Sequence, residues 1–235
     1  MTLNCLASSS SGNCFVLTAD DGKKLILDCG IPIKDIKIGL NFQLLDIAGC
    51  VVTHVHKDHS KSVNDLRKMG IKVYTPYEDV NTSYDRVFFP FRIKAFPLDN
   101  SEGHFVHSNA DGSECPVYGF YITCRGENLI YITDCEFVKY RFKGINNLLL
   151  GINYADESFT ENDNEMKKRH VMSGHLELHT ACEFIRVTDR DKTLKKLIVC
   201  HLSGENANPK LFWKEIEKVT DADIYFATKG IQIDL

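Results

Sequence analysis

Residues 51–60 read VVTHVHKDHS and place three histidines and an aspartate within six positions. The chain of 235 residues holds nine histidines, so a third of them, His54, His56 and His59, lie in this stretch together with Asp58. An apolar run precedes them, which predicts a loop at the C-terminal end of a β-strand. Nitrogen and carboxylate donors aimed at one point are typical of a metal site. The plainer alternative is a solvated loop that happens to be rich in histidine.

The spacing within the cluster favours two ions. His54 and His56 share a face of an extended segment, because side chains alternate along a strand, so both can bind one ion. Asp58 and His59 come after the chain has turned and can face a second ion. Imidazole nitrogens with a carboxylate suit zinc, manganese or iron better than calcium or magnesium. We therefore expect two divalent ions, with zinc as the first choice.

Composition indicates a cytoplasmic protein without a membrane partner. The nine cysteines form no CxxC pair, and the N-terminus lacks the basic and apolar regions of a signal peptide. No apolar run approaches the roughly 20 residues that a membrane helix needs. The net charge of −4 provides no overall attraction for nucleic acid, so a polyanion would have to be held by a local patch or by metal.

The chain carries no linker or repeat, which predicts a single domain over residues 1–235. Short β-type runs dominate the first half, and strands alternate with helical patterns later. Helices are predicted within SKSVNDLRKMG (60–70), LHTACEFIRVTDR (178–190) and NPKLFWKEIEKVT (208–220), the last with Asn208 as its N-cap. This order predicts an α/β fold with sheets in the middle and helices outside.

Four segments resemble the metallo-β-lactamase fold. THVHKDH (53–59) matches its HxHxDH signature, and LILDCG (25–30), YITDCE (131–136) and KLIVCHLS (196–203) resemble its other conserved strand ends. SSSSGNC (8–14) and GHLELHTACEFI (174–185) are most similar to small bacterial and phage nucleases and phosphodiesterases related to ribonuclease Z. The resemblance covers nearly the whole chain. It implies a four-layer αββα sandwich of two mixed β-sheets, with two metals in a cleft at the sheet edges.

The resemblance also assigns ligands. It implies that His54 and His56 hold the first metal, that Asp134 bridges the two metals, and that Asp28 braces the histidine loop. The second metal would be held by Asp58, His59 and His201.

The third histidine of the first metal falls in a long segment, NSEGHFVHSNADGSECP (100–116), that departs from the family pattern. His104 and His107 both lie in it. We favour His107, because it is nearer to the following strand, PVYGFYI (116–122). A long loop of this kind beside an active site often shapes the pocket.

The implied chemistry is hydrolysis. A metal pair lowers the pKa of a bound water, and Asp58 would orient the resulting hydroxide. His175 is expected to protonate the leaving group, as a matching histidine does in proteins similar to ribonuclease Z. Those relatives orient that histidine with a glutamate, but Gly151 stands at the aligned position, so Asn153 or Glu157 is expected to substitute. The alternative is that His175 only bonds to backbone near a helix start.

Substrate contacts are predicted in two places. In FVKYRFKG (137–144), Lys139, Arg141 and Lys143 alternate with aromatic residues and could bind phosphate while the rings stack on a base. An ordinary amphipathic strand is the alternative. Further hydroxyl and amide donors at the cleft rim could come from Ser9, Ser10, Ser11 and Asn13, although a plain turn explains them equally well.

These features favour a dinuclear-metal phosphodiesterase or nuclease acting on DNA, RNA or a cyclic or short nucleotide. A hydrolase of a thioester, lactone or β-lactam is the first alternative, and a metal-binding module without turnover is the second. The net negative charge of the chain favours short or cyclic substrates over long duplex DNA. The oligomeric state is left open, with a homodimer as one option.

Overall fold

The computed structural model describes residues 1–78, 84–100, 102–105, 107–109, 111–158, 174–202 and 208–235. The strands are β1 Thr2–Ser9, β2 Gly12–Thr18, β3 Lys24–Leu27, β4 Ile47–Val51, β5 Val73–Tyr74, β6 Asp85–Phe88, β7 Phe91–Pro97, β8 Tyr118–Cys124, β9 Glu127–Ile132, β10 Asn147–Gly151, β11 Lys196–Cys200, β12 Asp223–Phe226 and β13 Gln232–Asp234. The helices are α1 Ile33–Gly39, α2 Lys57–Ser60, α3 Val63–Lys68, α4 Leu178–Thr188 and α5 Pro209–Ile216, with 3₁₀ turns at Leu44–Asp46 and Asp156–Ser158. None of the helices in these ranges is long and apolar enough to cross a membrane.

The strands form two mixed sheets. The first has the order β13-β1-β2-β3-β4-β5 and the second has the order β12-β11-β10-β9-β8-β7-β6. In the first sheet β3, β4 and β5 run parallel, while the other neighbours are antiparallel. In the second sheet β9 to β12 run parallel and β6 to β9 antiparallel. Each sheet therefore has a parallel half whose carboxyl ends meet at one edge.

Three apolar clusters separate four layers. The cluster between the sheets includes Phe15, Leu25, Val51, Phe120, Tyr131 and Leu149. The helices α4 and α5 cover the outer face of the second sheet, with contacts among Leu148, Leu150, Leu197, Ile185, Phe212 and Ile216. The helices α1 and α3 cover the outer face of the first sheet, with contacts among Val16, Ile26, Cys50, Ile36 and Leu66. The predicted αββα sandwich is confirmed.

The strand β10 shows why the sequence adopts this layering. Its residues NLLLG are all buried, with Leu149 facing the other sheet and Leu148 and Leu150 facing the helices. A continuous apolar run of this kind is typical of a parallel strand that is covered on both faces.

The predicted helix over residues 60–70 differs from the structure, where α2 and α3 are separate. Ser62 lies between them with φ −103° and ψ 12°. Its hydroxyl donates to the carbonyl of Ile31 at 2.6 Å, and its N–H donates to the carbonyl of Cys29 at 3.0 Å. These bonds to the 28–31 segment take the place of continuous helical hydrogen bonds, so the histidine loop is tied to the end of β3.

The segment from Asp28 to Gly30 packs against the histidine loop backbone to backbone. The N–H of Cys29 donates to the carbonyl of His59 at 2.8 Å. A Cβ atom on Gly30 would lie 1.6 Å from the carbonyl oxygen of Asp58, so only glycine allows this approach. The packing of the segment after β3 against the histidine loop therefore requires a residue without a side chain at position 30.

We predict that Gly30→Ala destabilises the metal-stripped protein by about 3 kcal/mol or more, because two backbone segments must separate. Urea unfolding measures this free energy. Gly22→Ala is the control, because Gly22 has φ 84° but open space around it, and it should cost about 1–2 kcal/mol for the left-handed backbone alone. Equal losses in the two variants would contradict the close packing at Gly30.

Candidate metal centre

Three histidines converge at one end of the cleft. Nitrogen atoms of His54, His56 and His107 all lie within 4.8 Å of one another. The Nε2 of His107 is 2.9 Å from the Nδ1 of His56. The ring centroids of His54 and His107 are 5.1 Å apart and perpendicular. Three lone pairs directed at one point can hold a divalent ion.

A second group lies beside the first. Asp58 Oδ2 is 3.3 Å from the Nε2 of His59 and 3.5 Å from the Nε2 of His201. His59 and His201 are buried, and their rings are stacked with centroids 5.2 Å apart. This group offers one carboxylate and two imidazoles, which is also a suitable set for a transition-metal ion.

Asp134 lies between the two groups. Its Oδ2 is 2.8 Å from the Nε2 of His59 and 3.9 Å from the Nε2 of His54, while its Oδ1 is 3.4 Å from the Nε2 of His201. One buried carboxylate therefore contacts histidines of both groups, which is the position that a bridging ligand occupies.

Two buried atoms show that the donors fit a metal. Asp134 Oδ1 and His201 Nε2 have no hydrogen-bond partner among the described residues, although buried polar atoms rarely stay unpaired. Their separation of 3.4 Å matches that of two ligands about 2.1 Å from a tetrahedral zinc ion, which lie about 3.4 Å apart. A divalent ion would satisfy both atoms.

Backbone geometry at the strand ends aims these side chains. Asp28, Asp134 and His201 directly follow or lie just beyond β3, β9 and β11, and they have φ values of 55°, 50° and 55°. Non-glycine residues rarely adopt this left-handed conformation, and such residues cluster at functional sites. The turn redirects each side chain toward the common edge of the sheets.

Asp28 orients the histidine loop, as the resemblance implied. It is fully buried, and its Oδ2 accepts hydrogen bonds from His59 Nδ1 at 2.7 Å and from the Tyr131 hydroxyl at 2.6 Å. Its Oδ1 accepts from the N–H of Thr53 at 2.8 Å. With its Nδ1–H given to Asp28, His59 directs Nε2 toward Asp58 and Asp134, so Nε2 is the atom that can bind a metal.

The electrostatics favour the forms that bind metal. Burial lowers the pKa of His54 well below its usual value and lowers the pKa of His107 to about 4. Burial alone would raise the pKa of Asp134, but the charges of His201 and His59 outweigh it and hold that pKa well below normal. Asp58 also has a lowered pKa, because its contacts with His201 and His59 outweigh burial. Neutral imidazoles and ionised carboxylates are the species that coordinate metals.

His59 differs from the other histidines. Burial lowers its pKa, but the carboxylates of Asp134 and Asp28 outweigh burial and raise the pKa well above its usual value. Without metal a proton is therefore held between these carboxylates, and a metal ion bound there would displace it.

The long segment after β7 brings His107, rather than His104, into the cleft. The carbonyl of His107 accepts from the N–H of Cys115 at 2.7 Å, and Ser108 pairs with Glu114, so the segment folds back as a hairpin. His104 is exposed, and its Nδ1 lies 2.8 Å from Glu114. His107, which was favoured from the sequence, is therefore the residue whose side chain reaches His54 and His56.

His175 reaches the cavity from the loop before α4. Its Nε2 is 3.7 Å from Asp134 Oδ1, and the side chain is 22% exposed. Of its two expected supports, Asn153 places Nδ2 at 2.9 Å from the Nδ1 of His201, and Glu157 contacts His179 at 2.7 Å. A Cβ on Gly151 would lie 3.0 Å from the Thr133 hydroxyl, which leaves little room for a larger side chain.

The cationic residues of segment 137–144 are not among the described residues that line the cavity. Residues 137–143 do not form the strand that the alternation suggested. Lys139 pairs with Asp99 at 2.6 Å, while Arg141 and Lys143 are exposed. The intervening aromatic residues pack on the outer core of the second sheet. This placement does not support the predicted contact of Lys139, Arg141 and Lys143 with substrate.

The serine-rich turn also differs in detail from the prediction. Asn13 is buried, and its amide contacts His59 Nε2 at 3.1 Å and the carbonyl of Ser9 at 2.9 Å. The hydroxyl of Ser11 lies 2.7 Å from that of Ser9. The serine that lines the cavity is Ser10. Asn13 therefore contacts the buried His59 rather than the cavity, and Ser10 is the predicted donor that lines the cavity.

The cleft is a cavity of about 520 Å³, and its lining includes His54, His56, His107, Asp58, His201, Asp134 and His175. Its remaining described lining residues are Ser10, Ser108 and Asn109. Ser10 was among the rim donors predicted from the serine-rich turn, whereas Ser108 and Asn109 were not singled out from the sequence. Only the position of Ser108 and Asn109 directly after His107 could have suggested them.

The sequence model of the β-lactamase superfamily domain matches residues 38–201, more than half of the chain. The chain belongs to this superfamily, and its fold and site make it a metal-dependent hydrolase that uses divalent metal ions.

Three known proteins illustrate the relationship. The chain is 28% identical over 246 residues to exodeoxyribonuclease YycJ of Bacillus anthracis, covering 92% of this chain and 88% of that protein. It resembles the metallo-β-lactamase fold protein YhfI from Bacillus subtilis with a TM-score of 0.70, 13% identity and coverage of 99% and 98% of the two chains. Human tRNase Z, short form, gives a TM-score of 0.59, 17% identity and coverage of 100% and 99%. The two structural similarities show the shared fold.

We predict that His107→Ala lowers the bound metal by close to one ion per chain, because it removes one of three converging nitrogens. His104→Ala is the matched control in the same segment and should keep its metal, since His104 faces Glu114. Elemental analysis of both purified variants measures the difference. Loss of metal in His104→Ala alone would contradict the assignment.

Proposed function

We propose that the chain is a dinuclear-metal phosphodiesterase that hydrolyses DNA. The observation that carries this proposal is the position of Asp134 between the histidine group of His54, His56 and His107 and the mixed group of Asp58, His59 and His201. Two three-ligand groups that share one carboxylate suit a pair of ions, with zinc as first choice and manganese or iron as alternatives. The exodeoxyribonuclease relative supports DNA as the substrate.

Divalent ions held by these residues would lower the pKa of a bound water molecule and offset the charge of the phosphate oxygens. Asp58 is 26% exposed at the cavity. Its carboxylate can accept a hydrogen bond from that water and so fix the direction of attack. Its low pKa keeps this acceptor ionised. Asp58 would thus serve both as a ligand and as the residue that orients the nucleophile.

His175 is suited to protonate the departing alkoxide. It lines the same cavity, and its Nε2 lies on the Oδ1 side of Asp134. Histidine exchanges protons near neutral pH, and general acid help of this kind typically contributes about 10²- to 10⁴-fold to a rate. The other candidate ligands already supply three donor atoms to each group, and the proposal therefore assigns His175 to proton transfer rather than to metal binding.

The shape and charge of the cavity favour a flexible strand or strand end over a long duplex. No lysine or arginine lines the cavity within the described residues, whose neutral walls are Ser10, Ser108 and Asn109. Phosphate charge would therefore be met chiefly by the metals, with few contacts along a backbone. Protein contacts to many phosphates are what make binding to long duplexes strong, and the net charge of −4 does not supply them.

A substrate panel tests this function. With manganese or zinc present, we expect single-stranded DNA to be cleaved faster than duplex DNA, RNA, cyclic nucleotides, a thioester and a lactone. Asp58→Ala should slow DNA cleavage by at least about 10²-fold, because it removes both a ligand and the orienting carboxylate. Asp46→Ala, which changes a surface aspartate beside Lys23, should retain the wild-type rate.

Two results would overturn the proposal. The first is faster turnover of the thioester or lactone than of any phosphodiester. The second is DNA cleavage by Asp58→Ala at the wild-type rate, which would indicate a contaminating nuclease or a different site.

A further inference from the structure

Asn153 is a buried polar residue that connects two parts of the candidate site. It lies two residues beyond the end of β10, between the ends of β9 and β11, and its exposed fraction is 3%. A buried carboxamide is costly unless its donor and acceptor groups are paired. Its partners therefore indicate what the residue holds in place.

The side-chain amide of Asn153 contacts two segments of the chain, with its nitrogen near His201 and its oxygen bonded to Leu176. Its Nδ2 lies 2.9 Å from the Nδ1 of His201 and donates to the carbonyl of His201 at 3.2 Å. Its Oδ1 accepts from the N–H of Leu176 at 3.2 Å, and its own N–H donates to the carbonyl of Leu176 at 3.0 Å. Leu176 directly follows His175.

The two segments converge on one atom. The Nε2 of His201 is 3.4 Å from Asp134 Oδ1, and the Nε2 of His175 is 3.7 Å from the same oxygen. The centroids of the two imidazole rings are 6.2 Å apart. A shift of either segment therefore changes the separation between a candidate metal ligand and the candidate acid.

We propose that Asn153 is a positioning residue that sets His201 and His175 relative to each other through its two amide ends. This proposal rests on the proposed function, in which His201 holds a metal and His175 protonates the leaving group. Outer partners that orient metal ligands typically matter by about 10- to 100-fold in metal affinity or activity.

Asn153→Ala removes both ends of the contact. At saturating metal, we expect cleavage of single-stranded DNA, which has a poor alkoxide leaving group, to slow by about 10- to 100-fold. A bis(nitrophenyl) phosphate needs little protonation of its leaving group, so its rate should fall much less. Competition with a chelator should show one ion bound about 10-fold more weakly. The ratio of the DNA rate to the bis(nitrophenyl) phosphate rate reports on His175. The affinity for metal reports on His201.

Asn153→Asp separates the two ends. It keeps an oxygen for the N–H of Leu176, so the ratio of the two rates should stay near that of the wild type. It replaces the donor that faces His201, so the metal affinity should change. If its rate ratio instead equals that of Asn153→Ala, the proposed link to the His175 loop is wrong. This variant also serves if Asn153→Ala does not fold.

Two further variants complete the test. Asn147→Ala is the matched control, because Asn147 is equally buried at the opposite end of β10, where it bonds to Asn128; both readouts should stay at wild type. In His175→Ala, adding Asn153→Ala should change the rate ratio no further. Independent effects of the two substitutions on that ratio would overturn the proposal.

Failure of the proposed function can be told apart from failure of this inference. If the wild type cleaves neither phosphodiester, the proposed function fails, yet the metal affinity of Asn153→Ala still tests the contact with His201. If the wild type is active but Asn153→Ala matches it in both rate ratio and metal affinity, the positioning role is wrong.

Discussion

The carboxylate of Asp28 is the contact on which the rest of the site depends. It is fully buried between the sheets, where an ionised group is tolerated only when it is well bonded. Donors from Thr53 and His59 on the histidine loop and from Tyr131 on the second sheet all reach it. This carboxylate thus joins both sheets to the loop and determines which nitrogen of His59 faces Asp58 and Asp134. Because an unpaired carboxylate there would be very costly, the loop has little freedom to take another position.

The parallel halves of the two sheets explain why distant residues meet. β3 and β4 in the first sheet and β9 to β11 in the second end at a common edge, which is where ligands collect in sheets of this kind. Asp134 and His201 leave their strands through left-handed backbone that directs both side chains toward that edge. Because Asp134 and His201 are buried, the surrounding residues maintain this unfavourable backbone conformation. Their donor atoms are therefore in place before any ion binds.

The fold and the central donors could be predicted because their signals are local or repeated. The histidine motif is contiguous and its spacing alone indicates a metal site. Asp134 and His201 were assigned through the resemblance to the metallo-β-lactamase fold, and the parallel strand order explains why they meet the motif. The position of His107 was harder, since two histidines in one long segment are equivalent until the hairpin at Ser108 and Glu114 forms.

Other features depend on contacts that pattern alone does not encode. The alternation of Lys139 to Lys143 suggested a strand, but the aromatic residues are drawn into the outer core and Lys139 is paired with Asp99. Asn153 was considered as a support for His175 itself, whereas its amide bonds to the adjacent Leu176 and to His201. Which of several polar residues near a site faces the ligand is decided by packing over long sequence separations.

The central claim is that two ions act together on a DNA phosphodiester. The most direct measurement is a titration of metal-stripped protein with manganese, in which bound metal and cleavage of single-stranded DNA are followed in the same samples. The account predicts that binding saturates at two ions per chain and that cleavage rises mainly as the second ion binds. Saturation at one ion, or full cleavage activity with one ion bound, would contradict it.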